Sequence, residues 1–139
     1  MEKKRISIIS LIITILCAVL CAGTHFLFHA CGAKEDGGYM LCHWAEVSVK
    51  ATALVMCLQG IIMTAFRQKK VQAALSLAMI PEAILCMLYP NIIIPMCMMT
   101  DMRCHAVMRP CVILISAVMI ILLIINVIIS IKGKEHVKD

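Results

Sequence analysis

Apolar residues run through this chain in four long stretches, Ile6 to Phe28, Val47 to Phe66, Val71 to Tyr89 and Cys111 to Ile131, with only short polar segments between them. A bilayer core about 30 Å thick takes roughly 20 residues of helix at a rise of about 1.5 Å each, so every stretch is long enough to span. None alternates apolar and polar side chains as a membrane barrel strand does, and an open strand would leave its backbone groups unsatisfied in lipid. The pattern therefore predicts an all-α membrane protein: a single four-transmembrane-helix bundle over residues 1–139, built from two parallel-repeated hairpins at about 6–66 and 71–131.

Composition sharpens that class. Hydrophobic residues are 63% of the chain and charged residues 15%, against about 45–50% and about 25% in soluble domains. A basic opening, Met1-Glu2-Lys3-Lys4-Arg5, followed by an apolar run also begins a secretory leader. The run is longer than a leader's, and leucines precede Cys17 and Cys21 where a lipoprotein cleavage site would lie, so the first span is expected to be retained. Lys3, Lys4, Arg5, Arg67, Lys69, Lys70, Lys132, Lys134 and Lys138 fall on one side of the spans, and Lys34, Arg103 and Arg109 on the other. The positive-inside tendency then puts both termini in the cytoplasm, the location expected being a bacterial inner membrane. The net charge of +5 is accounted for by these anchors at anionic head groups, and nucleic acid need not be invoked.

One short pattern stands out against this background. Met40-Leu41-Cys42-His43 returns as Met102-Arg103-Cys104-His105, each copy just before a span on the outer face. The two halves run the same way through the membrane, which implies a repeat axis along the bilayer normal. The outer loops are short: one, about Cys31 to Glu46, carries Gly32, Gly37 and Gly38, and the other, Pro90 to Pro110, is rich in methionine and bounded by prolines expected to stop the helices. His25, His29, His43 and His105 gather at this level with Cys31, Cys42, Cys97 and Cys104, and Cys111 lies a turn below.

Thiolate, imidazole and thioether together suit copper, haem iron or zinc. Met40, Cys42, His43, Met102, Cys104 and His105 are the candidate metal ligands, with His25 and His29 as candidate cofactor contacts. Two other readings stand beside this one. Outside the cytoplasm, Cys31, Cys42, Cys97 and Cys104 are candidates for two structural disulfides whose pairing the sequence does not choose. The layout also resembles four-helix membrane thiol-disulfide oxidoreductases that pass electrons to quinone, but the spacings are Cys-x10-Cys and Cys-x6-Cys, without the Cys-x-x-Cys that poises an exchange-active pair.

Within the spans, Cys17, Cys21, His25 and His29 recur every fourth residue and line one helix face, where the cysteines also serve as small residues packed between helices. Lys50 follows Glu46 by one turn, and Glu82 is expected to lie near Val55. A network of Glu46, Lys50 and Glu82 is predicted, to relay protons, anchor a partner or fix helix register. Span four has only Ser116, Asn126 and Ser130 as polar side chains, so it has most to offer lipid or another subunit, either a larger transporter or a second copy of the chain. The chain is therefore expected to be a non-enzymatic membrane protein accessory to a transport or envelope system, its outward loops forming a Cys/His/Met site, metal-loaded or disulfide-bonded. A membrane thiol-disulfide oxidoreductase is the alternative.

Met-Leu-Cys-His-Trp ending at Trp44, the outward Cys97, Met-Arg-Cys-His and the following Arg109-Pro110 carry a resemblance. Over nearly its full length the chain resembles the domain-of-unknown-function 4418 family of small bacterial four-span membrane proteins. The resemblance implies the fold, the membrane location and a characteristic feature formed by Met40, Cys42, His43, Met102, Cys104 and His105, and it brings no assigned activity.

Overall fold

The structure, a computed structural model, describes residues 2–27, 35–39, 41–90, 92–95 and 104–135, with the backbone alone at 2, 3, 104, 105 and 133–135. The described residues form α1 (Glu2–Phe26), α2 (Leu41–Ala65), α3 (Lys69–Leu88) and, after a π-helical turn at Cys104–Met108, α4 (Arg109–Glu135). All four α-helices are long and apolar enough to cross a membrane, with mean hydropathy from 1.6 in α2 to 3.3 in α4. No strand occurs among the described residues, where only an isolated bridge joins Pro90 to Ile94.

The helices form a ring in which α1 packs on α2 and α4, and α3 packs on α2 and α4. The stripe that each turns inward explains why. Ile6, Ser10, Ile13, Cys17, Leu20 and Thr24 of α1 are buried, with Gly23 beside the last of them, a three-four spacing that keeps one seam facing a partner at a shallow crossing angle. The same spacing recurs in α3 at Gln72, Ser76, Met79, Ala83 and Cys86 and just beyond it at Pro90, each 66 residues on, the offset that also separates Cys31 from Cys97. Buried Ala45, Val49, Ala53, Met56, Gly60 and Met63 of α2 are matched by Met108 at the end of the π-turn and by Val112, Ser116, Met119, Leu123 and Asn126 of α4, 63 residues on. The two Met-x-Cys-His motifs are 62 residues apart, and a π-helical turn, which takes one extra residue, begins at Cys104 within the second motif and leads into α4.

Three boundaries differ from the sequence expectation. α1 starts at Glu2, because the charged opening residues continue the helix beyond its apolar part. Leu41 and Cys104 already belong to helical turns, so both Cys-His pairs lie on helices, and the loops are shorter than predicted. Pro110 does not stop a helix: it sits in the first turn of α4, directly after the π-turn. Proline in a regular helix clashes with the carbonyl four residues back, and a widened turn on its N-terminal side relieves that crowding. Pro81, inside α3, is exposed on the outer face of the bundle.

Local features hold the ring together. At Gly60 an added Cβ would sit 2.8 Å from Thr14 Oγ1 and 3.3 Å from Thr14 Cα, so glycine is what lets α1 and α2 touch here. Toward the α2–α3 turn, Asn126 Nδ2 donates to Ser76 Oγ at 2.7 Å, and Ser76 Oγ to Met63 Sδ at 3.4 Å, tying α4, α3 and α2. Gln72 Nε2 donates to the Met63 carbonyl and, at 3.4 Å, to that of Phe66, occupying carbonyls that the end of α2 leaves open. Leu114, Val118, Ile121, Ile124, Ile125, Ile128 and Ile131 of α4 point outward, an apolar surface suited to lipid.

Candidate functional site

The chain's antiparallel course puts the start of α2 and the π-turn before α4 at one end of the bundle, opposite the end that carries Arg5, Arg67, Lys69 and Lys132. In the first turn of α2 the two chemical residues diverge, as neighbours on a helix must. Cys42 is wholly buried. His43 turns aside and stacks on Tyr39, with ring centroids 4.2 Å apart and planes 17° from parallel, and meets Trp44 edge-on. Cys104 and His105 lie on the π-turn, where the backbone alone is described. Met40, Met102, His29, Cys31 and Cys97 lie outside the described residues.

His25 is exposed in the last turn of α1, edge-on to Phe26 at 4.7 Å. It borders an open apolar groove of about 420 Å³ between α1 and α2, shared with Cys21, Val47, Lys50, Ala51 and Leu54. Of the cysteine stripe on α1, Cys17 is buried in the core, and Cys21 is half-buried beside that groove. Among the described residues there is no disulfide, and no group of three or more His, Cys, Asp or Glu is arranged to hold a metal ion.

The charged residues within the spans divide differently from the predicted network. Lys50 pairs with Glu46 one turn earlier, the carboxylate nearly buried and the amine reaching the surface. Glu82 is held by α2 at another level: Gln59 Nε2 donates to its Oε1 at 2.8 Å. Gln59 is nine residues beyond Lys50, roughly 13 Å along the helix axis. The expected position near Val55 was therefore one turn too shallow, and among the described residues no ion pair joins Lys50 to Glu82.

What the sequence reading missed is the company around Glu82. Cys17 of α1 is within electrostatic range of Cys57, Cys86 and Glu82, so three helices bring thiols and a carboxyl to one depth. Glu82 Oε2 and Gln59 Oε1 are both buried and have no hydrogen-bond partner. A buried acceptor without a partner costs about 1–3 kcal/mol, and an ionised carboxylate at this depth about 2.5 kcal/mol or more. The available signal was register: Gln59 and Glu82 flank the core seams of α2 and α3, and an amide flanking a seam finds its partner on the neighbouring helix.

These features define a four-span integral membrane protein with an all-helical core. The chain belongs to the family described as domain of unknown function (DUF4418), whose model matches residues 11–129, most of its length and all four helices. No curated protein and no solved structure matches the sequence.

Proposed function

We propose that Met40, Cys42, His43, Met102, Cys104 and His105 form a soft-donor site on the outer side of a bacterial inner membrane, holding copper or haem iron, or failing those zinc, in a protein accessory to a larger transport or envelope system. The observation that carries this reading is the position of Cys42, wholly buried in the first turn of α2, at the same end of the bundle as the π-turn bearing Cys104 and His105. A thiol turned into the bundle from one half, with a second Cys-His pair on the helix diagonally across, is the start of a shared site of thiolate, imidazole and thioether donors. His25, exposed in the last turn of α1 at the same end, and His29 extend the proposed donor set.

Two observations support the supporting architecture. Matching offsets of buried positions favour two duplicated hairpins, with the π-turn absorbing a residue gained in the second. Basic residues concentrated at the other end favour both termini in the cytoplasm, and so an outward-facing Cys-His end. The apolar outer face of α4 suits lipid, a transporter subunit or a second copy of this chain.

The test is to purify the full chain from membranes without added reductant and measure bound metal, haem absorption and free thiols on one sample. Stoichiometric metal or haem is expected, lost in Cys42→Ser and Cys104→Ser and kept in Cys57→Ser. Absence of metal with Cys31, Cys42, Cys97 and Cys104 all blocked would overturn the reading in favour of disulfide-stapled loops, and thiols that cycle with a quinone would favour the oxidoreductase alternative.

A further inference from the structure

We propose that Glu82 and Gln59 form a proton-binding site inside the membrane-spanning bundle, in which one proton on Glu82 Oε2 is donated to Gln59 Oε1 and closes a reciprocal acid–amide pair. The observed bond, Gln59 Nε2 to Glu82 Oε1 at 2.8 Å, is one half of that pair. It leaves one oxygen on each side chain buried and unpartnered, and these two oxygens belong to the same pair of residues. A carboxylate cannot satisfy both, since it has acceptors only, and so does the amide oxygen it would face. A carboxylic acid has one donor and one acceptor side by side, the complement of a primary amide. A single proton therefore removes both orphaned acceptors at once and leaves no net charge in the bilayer.

The surroundings supply no competing cation among the described residues. Of these, Cys17 from α1 and Cys86 from α3 lie within electrostatic range of the carboxyl, and Cys57 from α2 lies within range of Cys17. α4 has no titratable side chain between Cys111 and Lys132, and Lys50, two and a half turns up α2 from Gln59, is engaged by Glu46. With no positive charge opposite Glu82 among the described residues, the proton is the ligand that fits. The site lies away from the Cys-His end and does not depend on what binds there.

Infrared spectroscopy of the full chain reconstituted in lipid tests this. At neutral pH the protein should show a carboxylic-acid carbonyl band that shifts down in heavy water and is lost in Glu82→Gln, whose amide is isosteric and uncharged. In Gln59→Leu the band should move to the higher frequency of an acid without a hydrogen-bonding amide. The proposal is overturned if folded wild-type protein shows no such band until the medium is made acid, if the band survives Glu82→Gln, or if it stays in place in Gln59→Leu. The last variant keeps the test decisive should Glu82→Gln fail to fold.

Discussion

Cys42 and His43 are neighbours in the chain and part company in space, one buried in the bundle and the other stacked on Tyr39. Recurrence of the Met-x-Cys-His pattern marked both residues as unusual, but a four-letter motif is silent about which of two adjacent side chains faces inward. That depends on whether the motif is loop or helix, and α2 begins one residue before Cys42. Lys50 and Glu46 were legible for the opposite reason: residues one turn apart on a helix meet whatever the rest of the molecule does. Their burial differs, with side-chain exposure of 30% for Lys50 and 6% for Glu46, so the two removals are unequal. Lys50→Met removes the cation that neutralises a nearly buried carboxylate and should lower stability at neutral pH by about 1–3 kcal/mol. Glu46→Gln leaves an amine that reaches the aqueous edge, and should cost less. Unfolding of both variants in the same detergent checks the order, and a larger loss from Glu46→Gln would contradict it.

At the scale of elements, the helices themselves follow from length and apolarity, and their inward stripes from a three-four spacing that any reader of the chain can find. Their ends were harder. Pro110 is a helix breaker by local rules, and it is accommodated because the preceding turn is π-helical, an irregularity with no sequence code of its own. Gly60 is the clearest contact between elements. Its hydrogen faces Thr14, whose Oγ1 is bonded to the Ser10 carbonyl at 2.8 Å and whose Cα belongs to the backbone of α1, so the obstruction is not a free side-chain end. Gly60→Val should destabilise the α1–α2 pair by about 1–3 kcal/mol, read as a lower unfolding midpoint. A midpoint unchanged from wild type would show that α1 and α2 are not in close contact there.

Across the whole molecule, polar side chains that are scattered in the chain join helices far apart in sequence. Ser76 and Asn126, 50 residues apart, share a hydrogen bond and both approach Met63 Sδ, so α2, α3 and α4 meet at one point. Ser116, Asn126 and Ser130 all turn inward, so between Cys111 and Ile131 the surface that α4 offers to lipid or a partner is apolar. Helices in a bilayer gain little from hydrophobic association, and such polar contacts hold them with about 0.6–1.7 kcal/mol each. Asn126→Leu and Ser76→Ala should therefore be non-additive, with a coupling of about 0.6–1.7 kcal/mol in a double-mutant cycle; simple additivity would dissolve the link.

Sequence alone determined the class, the number and approximate extent of the spans, and the family, because the bilayer demands long uninterrupted apolar helices and leaves few alternatives to a chain of this composition. It also determined the Glu46–Lys50 pair, which one helix contains within itself. Only the tertiary structure decided that Glu82 meets Gln59, that Cys17 shares its depth with Cys57 and Cys86, and that Asn126 reaches Ser76. Each of these contacts crosses from one helix to another. They depend on rotation about the helix axis and on axial register to within a single turn, and both are set by packing at places such as Gly60 and the π-turn, whose geometry a one-dimensional pattern does not carry.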